Sequence, residues 1–213
     1  MDFDDAKEVL AIHSGFSKTF DYSNETDFLG TLRPYQGIED EYFHEIVEAL
    51  FSIQDHFKQD VVDRELMLYL WEICSSTICL ALREGSLLRR NKLISDEDLK
   101  KLNSWIHIID SIGRYLLIKL SLADIIFSYV EYLQDNHYGE NIENIIPFFL
   151  KALEAIDPKN DINGICYAVL ELLAQIGSKA KFCLPSLRKL SKKKSLKKIS
   201  KQINYAILEI EKS

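Results

Sequence analysis

Glu41, His44, Glu45 and Glu48 place three carboxylates and an imidazole within two turns of one expected helix, residue types from which metal sites and acid-base pairs are built. His44-Glu45 opens an HExxH zinc pattern, but Glu48 stands where the second histidine must be. Glu41-x-x-His44 is half of a di-iron helix motif, and no second Glu-x-x-His follows. His13, His56, His107 and His137 have no cysteine at ligand spacing. Cys74, Cys79, Cys166 and Cys183 sit in apolar stretches without a CxxC, as small core residues of a reducing compartment do. Walker A, GxSxG and GxGxxG motifs are missing from the chain. No catalytic residue, metal ligand or cofactor site is assigned, and the expectation is a protein that is not an enzyme.

As a surface, the same carboxylates say more. Glu41, Glu45, Glu48, Ser52 and Asp55 fall at offsets of 4, 7, 11 and 14, one stripe of a helix, and no Lys or Arg occurs from Pro34 to Phe57. Solvent-facing helices usually interleave acids with bases, since unlike pairs at i,i+4 stabilise by about 0.2–0.5 kcal/mol and like pairs cost as much. Residues 1–65 hold 16 acids against 5 bases, whereas the whole chain carries a formal charge of −7. A solvated face explains part of this, because Glu39, Asp40 and Glu41 lie at a helix N-terminus whose dipole favours anions. The alternative is a docking surface for a basic partner, formed by Glu39, Asp40, Glu41, Glu45, Glu48 and Asp55. Ser178 to Lys201 has the opposite sign, with ten Lys or Arg and no acid. That run reads as the solvated outer face of a terminal repeat, with nucleic acid or an acidic protein as the competing partners. Arg89, Arg90 and Lys92 follow Gly85 and read as a solvated loop rather than a phosphate contact.

Hydrophobic residues make up 47% and charged residues 28%, enough apolar content for a sizeable core, while 8 Gly and 4 Pro suit long helices better than hairpins. The opening Met1-Asp2-Phe3-Asp4-Asp5 has the wrong charge for a secretory leader, so a cytoplasmic protein is expected. Lys119, Asp124 and Glu131 interrupt the most apolar stretch, Tyr115 to Leu133, and no membrane span is expected. Asp4 and Asp5 cap a first helix through Ile12, and residues 14–34 read as irregular. Helices then follow at 39–57, with Phe43, Ile46, Val47, Leu50 and Phe57 inward, and at 61–83, apolar around most of its circumference and therefore central. Ser95 and Asp98 form a near capping box for a helix to Leu117, and another helix starts at Ser121. Trp71 and Trp105 read as core.

From Asn144 onward the chain nearly repeats itself at an offset of 38. Ile145-Ile146-Pro147-Phe148-Phe149-Leu150-Lys151 aligns with Cys183-Leu184-Pro185-Ser186-Leu187-Arg188-Lys189, and Tyr167-Ala168-Val169-Leu170-Glu171 with Tyr205-Ala206-Ile207-Leu208-Glu209. Helix pairs are expected at 142–156 with 163–176 and at 180–190 with 198–211. This part resembles HEAT-type repeats through Ala168, Leu172, Leu173, Ile176-Gly177, Ala180 and Leu184-Pro185, continued by Ala206 and Ile210. The expected fold is one all-α domain over 1–213, about eight or nine helices in stacked antiparallel pairs, a HEAT/armadillo-like α-solenoid. Its diverged half spans 1–140 and its repeats 141–213. The chain also looks like immunity proteins of bacterial contact-dependent inhibition and polymorphic-toxin systems, on Leu32-Arg33-Pro34-Tyr35, the helix 39–57 and Gly85-Ser86-Leu87-Leu88. That resemblance implies a cytoplasmic toxin inhibitor whose partner is a cognate toxin, a basic nuclease with its cleft covered by the acids from Glu39 to Asp55. A HEAT-repeat scaffold in a protein complex and a nucleic-acid-binding or nucleic-acid-modifying repeat protein using Lys179 to Lys201 are the alternatives.

Overall fold

A computed structural model describes residues 1–21, 26–58, 62–136, 138–156, 161 and 164–213. Among these residues there is no strand, and nine α-helices have eight residues or more, as an all-α reading requires. They are α1 (Phe3–His13), α2 (Asp40–Ser52), α4 (Arg64–Thr77), α6 (Asp96–Leu117), α7 (Leu122–Asp135), α8 (Ile142–Ala155), α9 (Ile165–Ile176), α10 (Leu184–Ser191) and α11 (Ser200–Lys212), with single turns α3 (Gln54–Phe57) and α5 (Leu87–Arg90) between them. The helices gather into two compact units, Met1–Leu120 and Ser121–Ser213. The division therefore falls about one helix earlier than the 140/141 boundary read from the repeat, because α7 packs on α8 and α9.

In the first unit, α1 packs on α2 and α4, and α6 packs on α2 and α4. Asp2, not Asp4 or Asp5, caps α1: its carboxylate accepts the Asp5 N–H at 2.9 Å, and Asp4 and Asp5 occupy the first turn. Trp105 is fully buried, with Phe43 stacked on it at 5.0 Å between centroids and Phe28 tilted at 6.2 Å. Ser95 caps α6 as expected, accepting the Asp98 N–H at 3.0 Å. The expected helix 39–57 instead breaks at Ile53, just after Ser52 bonds back to the Glu48 carbonyl at 2.9 Å, a local competition that bends or ends helices. Residues 32–35 form an antiparallel bridge across a cis Arg33–Pro34 bond, and the Tyr35 hydroxyl donates to Asp98 at 2.6 Å, tying this irregular segment to α6.

α4 is not the central helix that its composition suggests. It buries Leu66, Leu70 and Ile73 against α1 and α6, but its Leu68 and Trp71 are exposed, Trp71 at 71%, as is Ile78 just beyond its end. Trp71 is thus a surface residue, and only Trp105 is core. The Arg64–Arg90 run is long and apolar enough by length and composition to cross a membrane, with 28% of its most apolar window buried. It is not one continuous helix: α4 passes into a π turn, Ile78–Leu82, and Arg83 is extended with ψ 143°. The expected apolar stretch 115–133 is likewise split, by Lys119 at φ 58°.

In the second unit α9 lies against both α7 and α11, α8 packs on α7 and α9, and α10 packs on α11 and α8. Asp161 starts α9, its two oxygens accepting the N–H groups of Ile165 at 2.9 Å and Cys166 at 3.0 Å. A 3-10 segment, Gly177–Cys183, occupies the first part of the expected helix 180–190, so α10 begins only at Leu184 with Pro185 in its first turn. Gly177 has φ 62°, and a Cβ there would lie 2.8 Å from Ser213 Oγ, so the residue permits both the turn and the close approach of the end of α11. Gly177→Ala is expected to cost about 1–3 kcal/mol, lowering the midpoint of thermal unfolding by roughly 2–12 °C, as followed by circular dichroism. An unchanged midpoint would show that the turn relaxes without strain.

Candidate functional site

The acids of α2 and α3 are mostly engaged within the first unit. Asp40 pairs with Lys101 at 2.6 Å, and Asp55 pairs with Lys58 at 2.6 Å. Glu45 lies 2.9 Å from Nε2 of His13, a buried ring whose Nδ1 accepts the Phe28 N–H at 3.3 Å. That backbone bond puts the ring proton on Nε2, which donates to the Glu45 carboxylate. Glu48 is only 8% exposed, Glu41 is half-buried, and Glu39 is exposed at the N-cap position. The six residues therefore share a helical region but do not form one continuous solvent-facing acidic stripe. Lys101 of α6 and His13 of α1, which face Asp40 and Glu45, are distant in sequence, and Lys58, which faces Asp55, lies just past the run, which is why the run itself looked unmixed. Among the described residues no group of three His, Cys, Asp or Glu is placed to hold a metal ion.

Other candidates resolve into structural roles. Arg89 donates to the Leu82 carbonyl at 3.0 Å, and buried Ser86 donates to the Ala81 carbonyl at 2.8 Å, so the Gly85 loop terminates the π turn with its own side chains. In the basic run Lys179 bonds the Glu140 carbonyl at 2.8 Å and Arg188 pairs with Glu211, while Lys189, Lys192, Lys194, Lys197 and Lys198 are exposed. Exposed Phe182 lies beside Lys181 and is the aromatic of this run that the charge pattern obscured. Burial pushes the Cys74 thiol up to about 12, with the Asp110 charge adding to it. Burial and the Asp161 carboxylate take Cys166 to about 12, and burial takes Cys183 to about 11. These three thiols stay protonated at neutral pH and are poor nucleophiles.

In the second unit a groove of about 440 Å³ opens between α9 and α11. Tyr167, Glu171 and Gln175 line it from α9, at i, i+4 and i+8, and Gln202, Tyr205 and Glu209 from α11, at i, i+3 and i+7. Each set is one outward stripe, because Val169, Leu172, Leu173 and Ile176 of α9 and Ile203, Ala206 and Ile210 of α11 are committed to the core. Tyr167 is 43% and Tyr205 57% exposed. Among the described residues Glu171 meets no Lys or Arg and accepts one long bond, 3.4 Å, from Gln134 of α7; Glu209 pairs with Lys212 at 2.7 Å. Gln202 Oε1 is buried and has no hydrogen-bond partner among the described residues.

No family model, curated protein or solved structure matches the chain. The chemistry of the groove is therefore read from its own atoms. Two tyrosine faces beside two carboxylates suit a Lys ammonium or Arg guanidinium, held by cation–π attraction and charge-assisted hydrogen bonds, and the Gln202 carbonyl offers a further acceptor. The signal was present in the repeat: Tyr167 and Glu171 recur as Tyr205 and Glu209 at the 38-residue offset. Read for helix pairing alone, that identity passes as scaffold, although outward positions have no packing reason to match.

The structural role of the α2 acids is testable. Glu45→Gln weakens the charge-assisted bond to buried His13 and is expected to lower stability by about 1–2 kcal/mol in urea unfolding, whereas Glu39→Gln leaves it unchanged. Equal effects would mean that the His13 bond is not what holds Glu45.

Proposed function

We propose that this chain is a non-catalytic helical-repeat protein that binds a basic protein partner, as an immunity protein binds and neutralises a cognate toxin. In this reading α8 with α9 and α10 with α11 are successive HEAT-like units, with α7 the last helix of a preceding, diverged one. The 38-residue offset and the position of α9 against both α7 and α11 support the stacking. The observation that carries the functional reading is the recurrence of an exposed Tyr-x-x-x-Glu on both helices of one groove. Lys and Arg side chains of a nuclease, which otherwise hold phosphates, are its natural occupants. Acids left in water on the first unit, among them Asp2, Asp4, Asp5 and Glu39, add a long-range field that speeds encounter with such a partner at low salt. The docking surface thereby shifts from α2 to the α9/α11 groove.

The test uses co-expression with the product of the neighbouring gene, comparing the wild type with a Glu171→Lys, Tyr205→Ala, Glu209→Lys variant. All three positions are at least half in water or on the groove wall, so the helical circular dichroism spectrum should persist. The wild type is expected to restore growth and to retain a basic protein at low salt. The variant should lose both. Equal protection by the folded variant would reject the groove, and a wild type that retains no basic protein would reject the function.

A further inference from the structure

We infer that the apolar groove between α4 and α6 pairs two copies of this chain about a two-fold axis, each Trp71 entering the groove of the other. The groove, about 280 Å³, has Met67, Leu70 and Cys74 on one wall and Ile109, Gly113 and Leu117 on the other. Gly113 contributes no side chain, and a Cβ there would meet Leu70 Cδ1 at 3.7 Å, so the floor is low where the helices cross. Trp71, on the same α4 wall, lines the groove yet leaves 71% of its surface in water, enough to serve as a knob for the groove of a second copy. A knob and its complementary hole on one patch is the arrangement that a two-fold, isologous contact requires.

Area and charge favour a second copy. Trp71, Leu68, Ile78 and Leu117 together leave on the order of 400 Å² of apolar side-chain surface in water, within the roughly 300–600 Å² of the largest patch on a monomer, a size at which such patches are often functional. Doubled across a two-fold axis and joined by the rim side chains, this reaches about 1,000 Å², the lower bound for a specific interface. The first unit is acidic, which opposes self-association, but the rim is balanced: Asp110 lies 3.0 Å from Arg114 one turn away, and both are exposed. In a two-fold pair each can serve the other copy's opposite charge, so no like charges need meet. A lipid surface is the poorer occupant, because anionic headgroups would meet the acidic unit and Asp110 at the groove itself.

Sedimentation equilibrium of the full chain over about 1–200 µM reads this directly, and a weak dimer with Kd on the order of 10–100 µM is expected at the lower limit of interface area. Trp71→Glu should weaken dimerisation at least about tenfold with an unchanged circular dichroism spectrum, since the side chain is in water in the monomer. Asp110→Arg should weaken it too, and the double variant Asp110→Arg, Arg114→Asp should restore it. A chain that stays monomeric throughout overturns the inference, whether Trp71 fluorescence reports water or a patch covered within the monomer. A dimer indifferent to Trp71→Glu overturns it as well.

Discussion

α9 carries apolar side chains around most of its circumference, and it has no stable state unless helices lie on both sides of it. Ile165, Cys166, Val169, Leu170, Leu172, Leu173 and Ile176 are all buried, and a large aliphatic side chain gains about 1.5–3 kcal/mol by leaving water. α7 and α11 supply the two flanks, and α8 packs on α7 and on α9 itself. Asp161 and Gly177 fix where the helix begins and ends, by capping and by a positive φ at a point of close approach. With so much of α9 committed to packing, only the stripe of Tyr167, Glu171 and Gln175 remains for anything outside the fold. The same constraint on α11 leaves Gln202, Tyr205 and Glu209, and the two stripes meet in one groove.

The first unit handles its charge differently. Its acids face cations and a buried imidazole brought in by folding: Asp40 with Lys101, Glu45 with His13, and Lys7 with both Asp63 and Glu65 at 2.8 and 2.6 Å. Hydrogen bonds to Asp63 and Glu65 raise the Lys7 ammonium well above its ordinary range. At Asp63, burial alone would raise the carboxyl, but the Lys7 bond and the backbone N–H groups of Leu66 and Glu65 outweigh it and hold the group lower. Stability from that carboxylate is thus present above the ordinary carboxylate range and is lost as pH falls through the lowered folded value. Part of an acidic excess that looks like a ligand for basic proteins is in this way consumed by the fold.

Much of the helical order was legible in the sequence because its signals are local. Ser95 before Asp98, Gly177 after Ile176 and the 38-residue offset each report a neighbourhood of a few residues, and α6, α9 and α11 follow them closely. What was illegible depends on partners far along the chain. Lys101 is 61 residues from Asp40, and nothing near Glu45 announces His13. Apolar periodicity reports how much surface a helix must cover, not how many neighbours will cover it. α4 looked central for that reason, and its Trp71 looked buried, whereas α1 and α6 leave one face open. The groove lay between these cases: its residues were visible as a repeat, but their exposure was not, so their identity passed as scaffold.

Site-specific photo-crosslinking in the native host bears most directly on the central claim, that the outward Tyr-Glu stripes of α9 and α11 hold a basic protein. A benzophenone side chain placed at position 205 samples the groove, and the same group at position 41 samples α2, with both proteins isolated at low salt. The account predicts an adduct with a basic protein from position 205 and none from position 41. An adduct from position 41 alone, or from neither, would contradict it.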